Sequence, residues 1–172
     1  YLLMLGLAWL CFRANPGKAN KTFRRLQVLS SAFMATSHGL NDAQKTMGII
    51  TLALFMFHWI PTMEVPLWVK LASALVMGLG TATGGWRIVK TMGHKIFKLE
   101  AIHGFAAETS AAMVIALASS VGAPISTTHT ISSSVLGVGA SKRLSAVRWG
   151  VAGNMVVAWV LTIPMAALVS GG

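Results

Sequence analysis

Two short polar motifs interrupt the long apolar stretches of this sequence, and the first could bind a cation. Residues 37–42, Ser-His-Gly-Leu-Asn-Asp, place the amide of Asn41 beside the carboxylate of Asp42. A carboxylate inside an apolar stretch is costly unless it is paired or holds an ion. The carbonyl oxygen of Asn41 adds a second oxygen ligand, and this combination suits Na⁺ or a proton at a helix break. The alternative is a helix cap, because Asn and Asp cap helices routinely.

The second motif, residues 122–129, could bind an anion. Its sequence is Gly-Ala-Pro-Ile-Ser-Thr-Thr-His; Pro disfavours helix for the residue before it, and a following Ser or Thr caps a new helix. The hydroxyls of Ser126, Thr127 and Thr128 would then meet free backbone N–H groups at the positive end of a helix dipole. The alternative is a plain cap whose spare hydroxyls bond back to the helix. His129 is as compatible with packing as with ligand binding.

Glu108 is the third candidate, because it lies well inside another apolar stretch. An acid in this position could act as a proton relay or a cation ligand. The alternative is a carboxylate paired with a base that snorkels from the membrane surface. For His103, near the end of the same stretch, packing is favoured. The sequence has no helical His–Glu–His spacing of the zinc-protease type, so a metal enzyme is not indicated.

The composition predicts a membrane environment around these motifs. Charged residues make up 10% of the 172 residues and hydrophobic residues 55%, whereas an ordinary soluble domain is about 25% charged. This balance excludes a soluble enzyme or binding module and predicts an integral membrane protein surrounded by lipid. The single cysteine, Cys11, allows neither an internal disulfide nor a thiolate metal cage.

The net charge of +10 would suggest a nucleic-acid partner in a soluble protein. Here the bases cluster between apolar runs, which is typical of cytoplasmic loops under the positive-inside rule. We therefore predict no nucleic-acid partner. The predicted cytoplasmic segments are 13–25, 87–98 and 141–148, and the predicted external turn is 61–66.

The apolar stretches predict an all-α integral membrane fold, a multi-span helix bundle with broken helices. Residues 26–60 as one helix would be roughly 50 Å long, against a hydrocarbon core of about 30 Å. They must therefore be broken, steeply tilted or protruding, and the polar residues 37–42 are the natural break. Residues 99–140 are predicted to form a re-entrant hairpin with arms 103–120 and 127–140, with two ordinary spans as the alternative. The remaining predicted helices are 1–12, which looks truncated, 67–86 and 149–169.

Three runs resemble motifs of the inorganic phosphate transporter (PiT) family, and they occur in the family's order. The runs are 37–48, 104–108 and 122–129, with Lys90-Thr91-Met92-Gly93 as a further match. The similarity covers nearly the whole chain. Leu40 departs from the family, which usually has a small Ala there, and this bulkier side chain is expected to shift local packing.

The resemblance implies a secondary transporter built from two inverted repeats. Residues 1–172 would be a single membrane domain, the C-terminal half of a longer transporter closest to the bacterial low-affinity type. The expected location is the bacterial inner membrane, with the N-terminal half of the same transporter as a partner and a homodimer left open. The coupling cation would be H⁺ or Na⁺, and phosphate carried as a divalent-metal complex is an alternative cargo.

The resemblance also implies roles for single residues. Ser126, Thr127 and Thr128 would bind phosphate, together with Asn41. Asp42 and Asn41 would serve the coupling ion, with support from Glu108. No catalytic residue or fixed metal site is expected.

An ion-coupled phosphate symporter is therefore the leading hypothesis for function, with an anion channel or a non-transporting membrane scaffold as the alternative. A passive anion pore has no use for a carboxylate such as Asp42, which favours coupling. An intramembrane hydrolase using Ser126 and His129 is a weaker option, because their nearby positions on one helix give poor relay geometry.

Overall fold

The computed structural model describes residues 1–13, 15–90 and 100–171. Within these ranges the chain is helical and contains no strand. Six α-helices follow one another: α1 (Leu2–Leu10), α2 (Pro16–Met56), α3 (Leu67–Lys90), α4 (Ala101–Ser120), α5 (Thr127–Lys142) and α6 (Trp149–Gly171), with a 3₁₀ turn at Leu144–Ala146. The all-α fold agrees with the prediction. Most of the predicted basic segment 87–98 lies outside the described residues.

The α2 helix differs from the prediction in both its start and its continuity. It runs unbroken for 41 residues, about 60 Å, so the predicted break at residues 37–42 is wrong. The predicted loop over residues 13–25 is also largely helix. Asn15 caps the helix by accepting a hydrogen bond from the Gly17 N–H at 3.0 Å, and Pro16 occupies the first helical position, where its missing N–H costs nothing.

The α2 helix continues through the polar motif because side chains of the motif form hydrogen bonds to other elements and not to the α2 backbone. Asn41 and Asp42 form hydrogen bonds to α5 and to the segment before it, so they do not compete for the peptide groups of α2. Gly39 is the residue of the motif with the lowest helix propensity, and a single Gly costs about 1 kcal/mol relative to Ala.

Two helices end in the same hydrogen-bonded motif. After α4, Gly122 adopts a positive φ of 70°, and the Ala123 N–H reaches back to the Ala118 carbonyl at 2.9 Å. After α2, His58 takes the corresponding position with a φ of 59°, and the Trp59 N–H bonds to the Leu54 carbonyl. This is the Schellman arrangement, which satisfies the carbonyl groups that a helix end leaves open.

The α4 helix lies at the centre of the bundle. Its buried face is built mainly from alanines, which allow neighbouring helices to approach closely. One cluster joins α4 to Met34 of α2, and another joins it to Met4, Val135 and Val138 of α1 and α5. The α4 residues in these clusters are Ala106, Ala107, Ala111, Ala112 and Ile115.

The α2 and α4 helices run parallel, as two hydrogen bonds at the same sequence offset show. Ser30 bonds to Glu108, and eleven residues further along both helices Ser119 bonds to Asn41. Because α3 lies between α2 and α4 in sequence, parallel packing of those two helices requires α3 to run in the opposite direction.

The α4 and α5 helices form the predicted helical pair, joined by residues 121–126. Their bounds lie within two residues of the predicted arms. The α5 helix has 16 residues, about 24 Å, which is shorter than an ordinary crossing. That the hairpin of α4 and α5 enters and leaves the membrane on the same face stays a prediction.

Within the described residues, three helical segments are long and apolar enough to cross a membrane: Leu67–Trp86, Ala101–Ser120 and Trp149–Gly171. Only 11% of the first and 6% of the last is buried within the chain, against 39% for the α4 segment. The outer helices therefore present apolar faces that need lipid or further protein around them.

Candidate ion and anion site

One face of α2 carries three groups that an unbroken helix brings together. Residues four and three apart lie above one another on a helix. The Nε2 atom of His38 lies 2.9 Å from Oδ2 of Asp42, and Nζ of Lys45 lies 3.3 Å from Oδ1. The Asp42 side chain is 28% exposed, so the carboxylate is held between charged or polar partners at the edge of the buried region.

Partners from two other positions complete the surroundings of the Asp42 carboxylate. The Nδ2 group of Asn41 donates to Oδ1 at 3.2 Å, and the Thr127 hydroxyl donates to Oδ2 at 3.2 Å. Each carboxylate oxygen thus has two polar neighbours. The contact from Thr127 joins the two polar motifs, which are separated by 85 residues in sequence.

The N-terminus of α5 has the geometry of both a cap and an anion cradle. Ser126 is the N-cap, and its hydroxyl oxygen accepts a hydrogen bond from the His129 N–H at 3.4 Å. The N–H groups of Thr127 and Thr128 have no acceptor in the part of the chain that the structure describes. Thr127 is buried, whereas Thr128 is exposed. The hydroxyl of Thr130, further along α5, bonds back to the Ser126 carbonyl, whereas that of Thr127 bonds to Asp42.

The segment between α4 and α5 also faces α2. The Ile125 carbonyl accepts hydrogen bonds from Nζ of Lys45 at 2.6 Å and from Nδ2 of Asn41 at 3.3 Å. At the end of α4, the Ser119 hydroxyl donates to Oδ1 of Asn41 at 3.4 Å. Asn41 is only 4% exposed, so its amide is fixed between the two elements.

A cleft of about 400 Å³ opens where these groups meet. It is lined by Asp42, Lys45, Pro124, Ile125, Ser126, Thr127 and Thr128. Basic, acidic and hydroxyl groups therefore share one space with the open end of α5, and this space can take a small polar ion.

Glu108 lies apart from this cleft. Its carboxylate accepts hydrogen bonds from the Ser30 hydroxyl at 2.5 Å and from the Ser31 hydroxyl at 3.0 Å. These contacts lie eleven helical residues from Asn41 along α2, about 16 Å. Among the described residues its partners are hydroxyls and not the base that the alternative reading expected. The structure thus unites five of the six predicted site residues and leaves the sixth in a separate polar cluster.

The family model for phosphate transporters matches residues 11–170, and the cleft is built from residues inside that match. The chain belongs to the phosphate transporter family. This result confirms the family that the motifs predicted.

Curated relatives of this phosphate transporter family member carry matching names. The chain is 51% identical over 170 residues to a "Probable low-affinity inorganic phosphate transporter" of Rhizobium meliloti (strain 1021), covering 98% of this chain and 51% of the relative. It is 48% identical over 155 residues to a protein of the same name from Bacillus subtilis (strain 168), covering 90% and 46%. The chain thus spans about half the length of the curated relatives it matches. These names describe transporters and not enzymes, as the sequence predicted.

A solved structure, "The sodium-dependent phosphate transporter", is also similar to this family member. The TM-score is 0.75 at 35% identity, and the match covers 86% of this chain and 38% of that one. The helical arrangement described above is therefore shared with an experimentally determined relative.

Sequence reasoning named no role for His38 and Lys45, which contact Asp42 from one helical turn before it and one turn after it. Their spacing from Asp42, four residues before and three after, would have indicated the contacts if α2 had been taken as one helix. Because a helix break was predicted at residues 37–42, this helical spacing was not applied to them. Ser30 and Ser31, the partners of Glu108, carried no comparable sequence signal.

Three other side chains that the sequence singled out, His129, His103 and Leu40, lie outside the cleft lining. The His129 ring lies on Trp159 of α6, with centroids 4.1 Å apart. Buried His103 accepts a hydrogen bond at Nδ1 from the Glu100 N–H. Leu40 is 57% exposed and lines a separate apolar cavity between α2 and α3. Within the described ranges, no group of three or more His, Cys, Asp or Glu residues could hold a metal ion.

Proposed function

We propose that the chain is the C-terminal half of a secondary transporter that carries inorganic phosphate together with a cation, H⁺ or Na⁺. The observation that supports this most directly is the hydrogen bond from Thr127 to Asp42. It places the open N-terminus of α5 and the α2 carboxylate on one cleft. Family membership and the names of the relatives point to phosphate as the substrate.

Phosphate would bind at the α5 N-terminus. The unpaired N–H groups of Thr127 and Thr128 and the helix dipole favour an anion, and Thr128 is exposed and lines the cleft. Ser126 would hold the helix end in shape, and Asn41 would fix the facing segment through the Ile125 carbonyl. These donors would replace the hydration that phosphate loses inside the protein.

The carboxylate of Asp42 explains why phosphate would need a cation. It lines the same cleft as the proposed anion site, and wherever its charge is not balanced it would repel phosphate at close range in a low-dielectric environment. A cation at Asp42 removes this repulsion, so the two substrates would bind more tightly together than either alone. Phosphate arriving as a divalent-metal complex would bring part of this charge itself. Glu108 would support a cation in its own cluster with Ser30 and Ser31, since it does not reach the cleft.

The partners of the chain follow from its exposed faces. The sparsely buried helices α3 and α6 would pack against lipid and against an N-terminal half, which would supply the inverted repeat and the rest of the site. A homodimer would use the same kind of apolar face. The bacterial relatives support a location in the inner membrane.

The test is uptake of radiolabelled phosphate by the longer transporter in liposomes. The proposal predicts accumulation above the external concentration, and collapse of that accumulation when ionophores dissipate the H⁺ and Na⁺ gradients. Equilibration that stops at equal concentrations and ignores the gradients would support an anion channel. No phosphate movement in either direction would support the scaffold.

A further inference from the structure

We infer that Lys45 is a tethered cation, which occupies the position at Asp42 that Na⁺ would take and makes the site independent of Na⁺. This inference rests on the proposed function and deepens it, because it assigns the selectivity of the coupling site to one side chain. Neither the family match nor the names of the relatives assign any role to this lysine.

The first support is the pair of oxygen atoms around Nζ. The ammonium group lies 3.3 Å from Oδ1 of Asp42 and 2.6 Å from the carbonyl oxygen of Ile125. Non-helical backbone carbonyls coordinate Na⁺ in transporters with discontinuous helices, and carboxylate oxygens are common ligands of hard cations. Lys45 therefore presents its charge to a ligand set that suits an alkali cation.

The second support is that the contact joins two elements. An ordinary ion pair three residues apart on a helix surface needs only its own helix and is worth little. Here the shorter contact of Lys45 goes to Ile125, which lies 80 residues away in the segment leading to α5. The lysine thus bridges α2 and the proposed phosphate site, as a bound cation would.

The third support is that protein groups already contact both oxygens of the Asp42 carboxylate. His38 and Thr127 contact Oδ2, while Asn41 and Lys45 contact Oδ1. Asn41 and Thr127 are neutral, and Lys45 is the one Lys or Arg side chain at this carboxylate among the described residues. For Na⁺ to reach Asp42 and Ile125 it would have to displace a group of the same charge. The chain itself therefore competes with Na⁺ for the site.

Transport by the longer protein gives the first test. Phosphate uptake into liposomes is measured under a fixed proton gradient, in Na⁺ buffer and in N-methyl-D-glucamine buffer. The unaltered protein is expected to transport equally in both. Lys45→Met keeps an unbranched side chain one atom shorter and removes the charge. It is expected to lower uptake in the Na⁺-free buffer by roughly ten- to hundred-fold, the effect of losing hydrogen bonds to a charged group. Added Na⁺ is expected to restore it.

Two variants control for the loss of a lysine as such. Lys45→Arg keeps a cation and is expected to stay independent of Na⁺. Lys70→Met makes the same chemical change on the exposed face of α3, beside an apolar cavity, and is expected to behave like the unaltered protein. Equal and substantial uptake by Lys45→Met in the two buffers would overturn the inference, and so would Asp42-dependent stimulation of the unaltered protein by Na⁺.

Binding of radioactive Na⁺ to the purified longer protein gives a second test that needs no transport. Lys45→Met is expected to gain saturable Na⁺ binding over the unaltered protein, and Lys45→Met combined with Asp42→Asn is expected to lose that gain. If Lys45→Met gained none, Lys45 would be a surface pair and the inference wrong, even where uptake was absent in both buffers. A failure of the proposed function would look different, because the unaltered protein would then not accumulate phosphate under any gradient.

Discussion

At the scale of residues, the site is organised by the polar contacts of the Asp42 carboxylate. Four polar groups surround its carboxylate: His38 and Asn41 belong to the first motif that the sequence marked, Thr127 belongs to the second, and Lys45 follows the first. The sequence indicated both motifs because acids and clustered hydroxyls are costly in apolar stretches unless they have a function. It could not indicate that the motifs touch, since that contact depends on how α2, α4 and α5 pack.

The hydroxyls of the second motif have different roles, which the sequence alone could not separate. Ser126 caps α5, Thr127 bonds to Asp42, and Thr128 is exposed to the cleft. The cap and anion-cradle readings are therefore compatible with each other. A helix end can hold its own first turn with one side chain and still leave N–H groups open.

These different roles predict different effects on phosphate binding in the longer transporter. Thr128→Ala is expected to weaken phosphate affinity by roughly ten-fold or more, because a hydrogen bond to a charged group is worth about 1.5–3 kcal/mol. Ser126→Ala is expected to weaken it as well, and to lower thermal stability through loss of the cap, which is worth about 1 kcal/mol.

Calorimetric titration of the purified protein with phosphate measures these affinities. Thr130→Ala is the matched control, because its hydroxyl bonds to the Ser126 carbonyl and does not line the cleft. Normal phosphate affinity in Thr128→Ala and Ser126→Ala would show that the α5 terminus is only a cap.

At the scale of elements, α2 shows where sequence reasoning fails for physical reasons. A polar motif with a Gly in a long apolar stretch predicts a break, because buried polar side chains normally cap helix ends. In α2 the same side chains are satisfied across the helix interface, so the backbone can remain helical. The predicted bounds of α4 and α5 were close because Gly122, Pro124 and Ser126 are local signals that act on their own segment.

Continuity of α2 predicts the effect of replacing Gly39 by Ala. A Cβ at this position meets no atom within 4 Å in the structure as described, and Ala is favoured over Gly inside a helix by about 0.5–1 kcal/mol. Gly39→Ala is therefore expected to keep or raise the thermal stability of the purified protein. Gly122→Ala is the contrasting variant, because its φ of 70° strains any other residue, and it should melt at a lower temperature. A marked loss of stability in Gly39→Ala would indicate that the helix does break there.

The order of the helices predicts the sidedness of the loops. With α2 and α4 parallel, the starts of both helices should face the same side, which the basic residues assign to the cytoplasm. Single cysteines at Lys18, Lys95 and Lys142 in a Cys11→Ala background should resist an impermeant maleimide added outside, and one at Glu64 should react. Labelling at Lys142 without labelling at Lys95 would replace the hairpin by a single crossing.

At the scale of the whole molecule, the helices of the chain differ in how much of their surface the chain itself buries. The central helix α4 is the most buried of the three apolar helices, whereas α3 and α6 have little of their surface buried within the chain. Composition alone predicted the membrane environment, because 10% charged residues cannot cover a soluble surface. The faces that would meet the proposed second repeat cannot be predicted from this sequence, since they would depend on residues of that partner.

Coupling between phosphate and a cation belongs to this scale, and Asp42 tests it most directly. Asp42→Asn keeps the shape of the side chain and removes the charge that we propose ties phosphate binding to a cation. The decisive measurement compares gradient-driven accumulation of phosphate with phosphate exchange at equal concentrations, for the longer transporter and its Asp42→Asn variant in liposomes. We predict that the variant loses accumulation and retains exchange. Full gradient-driven accumulation by Asp42→Asn would contradict the account.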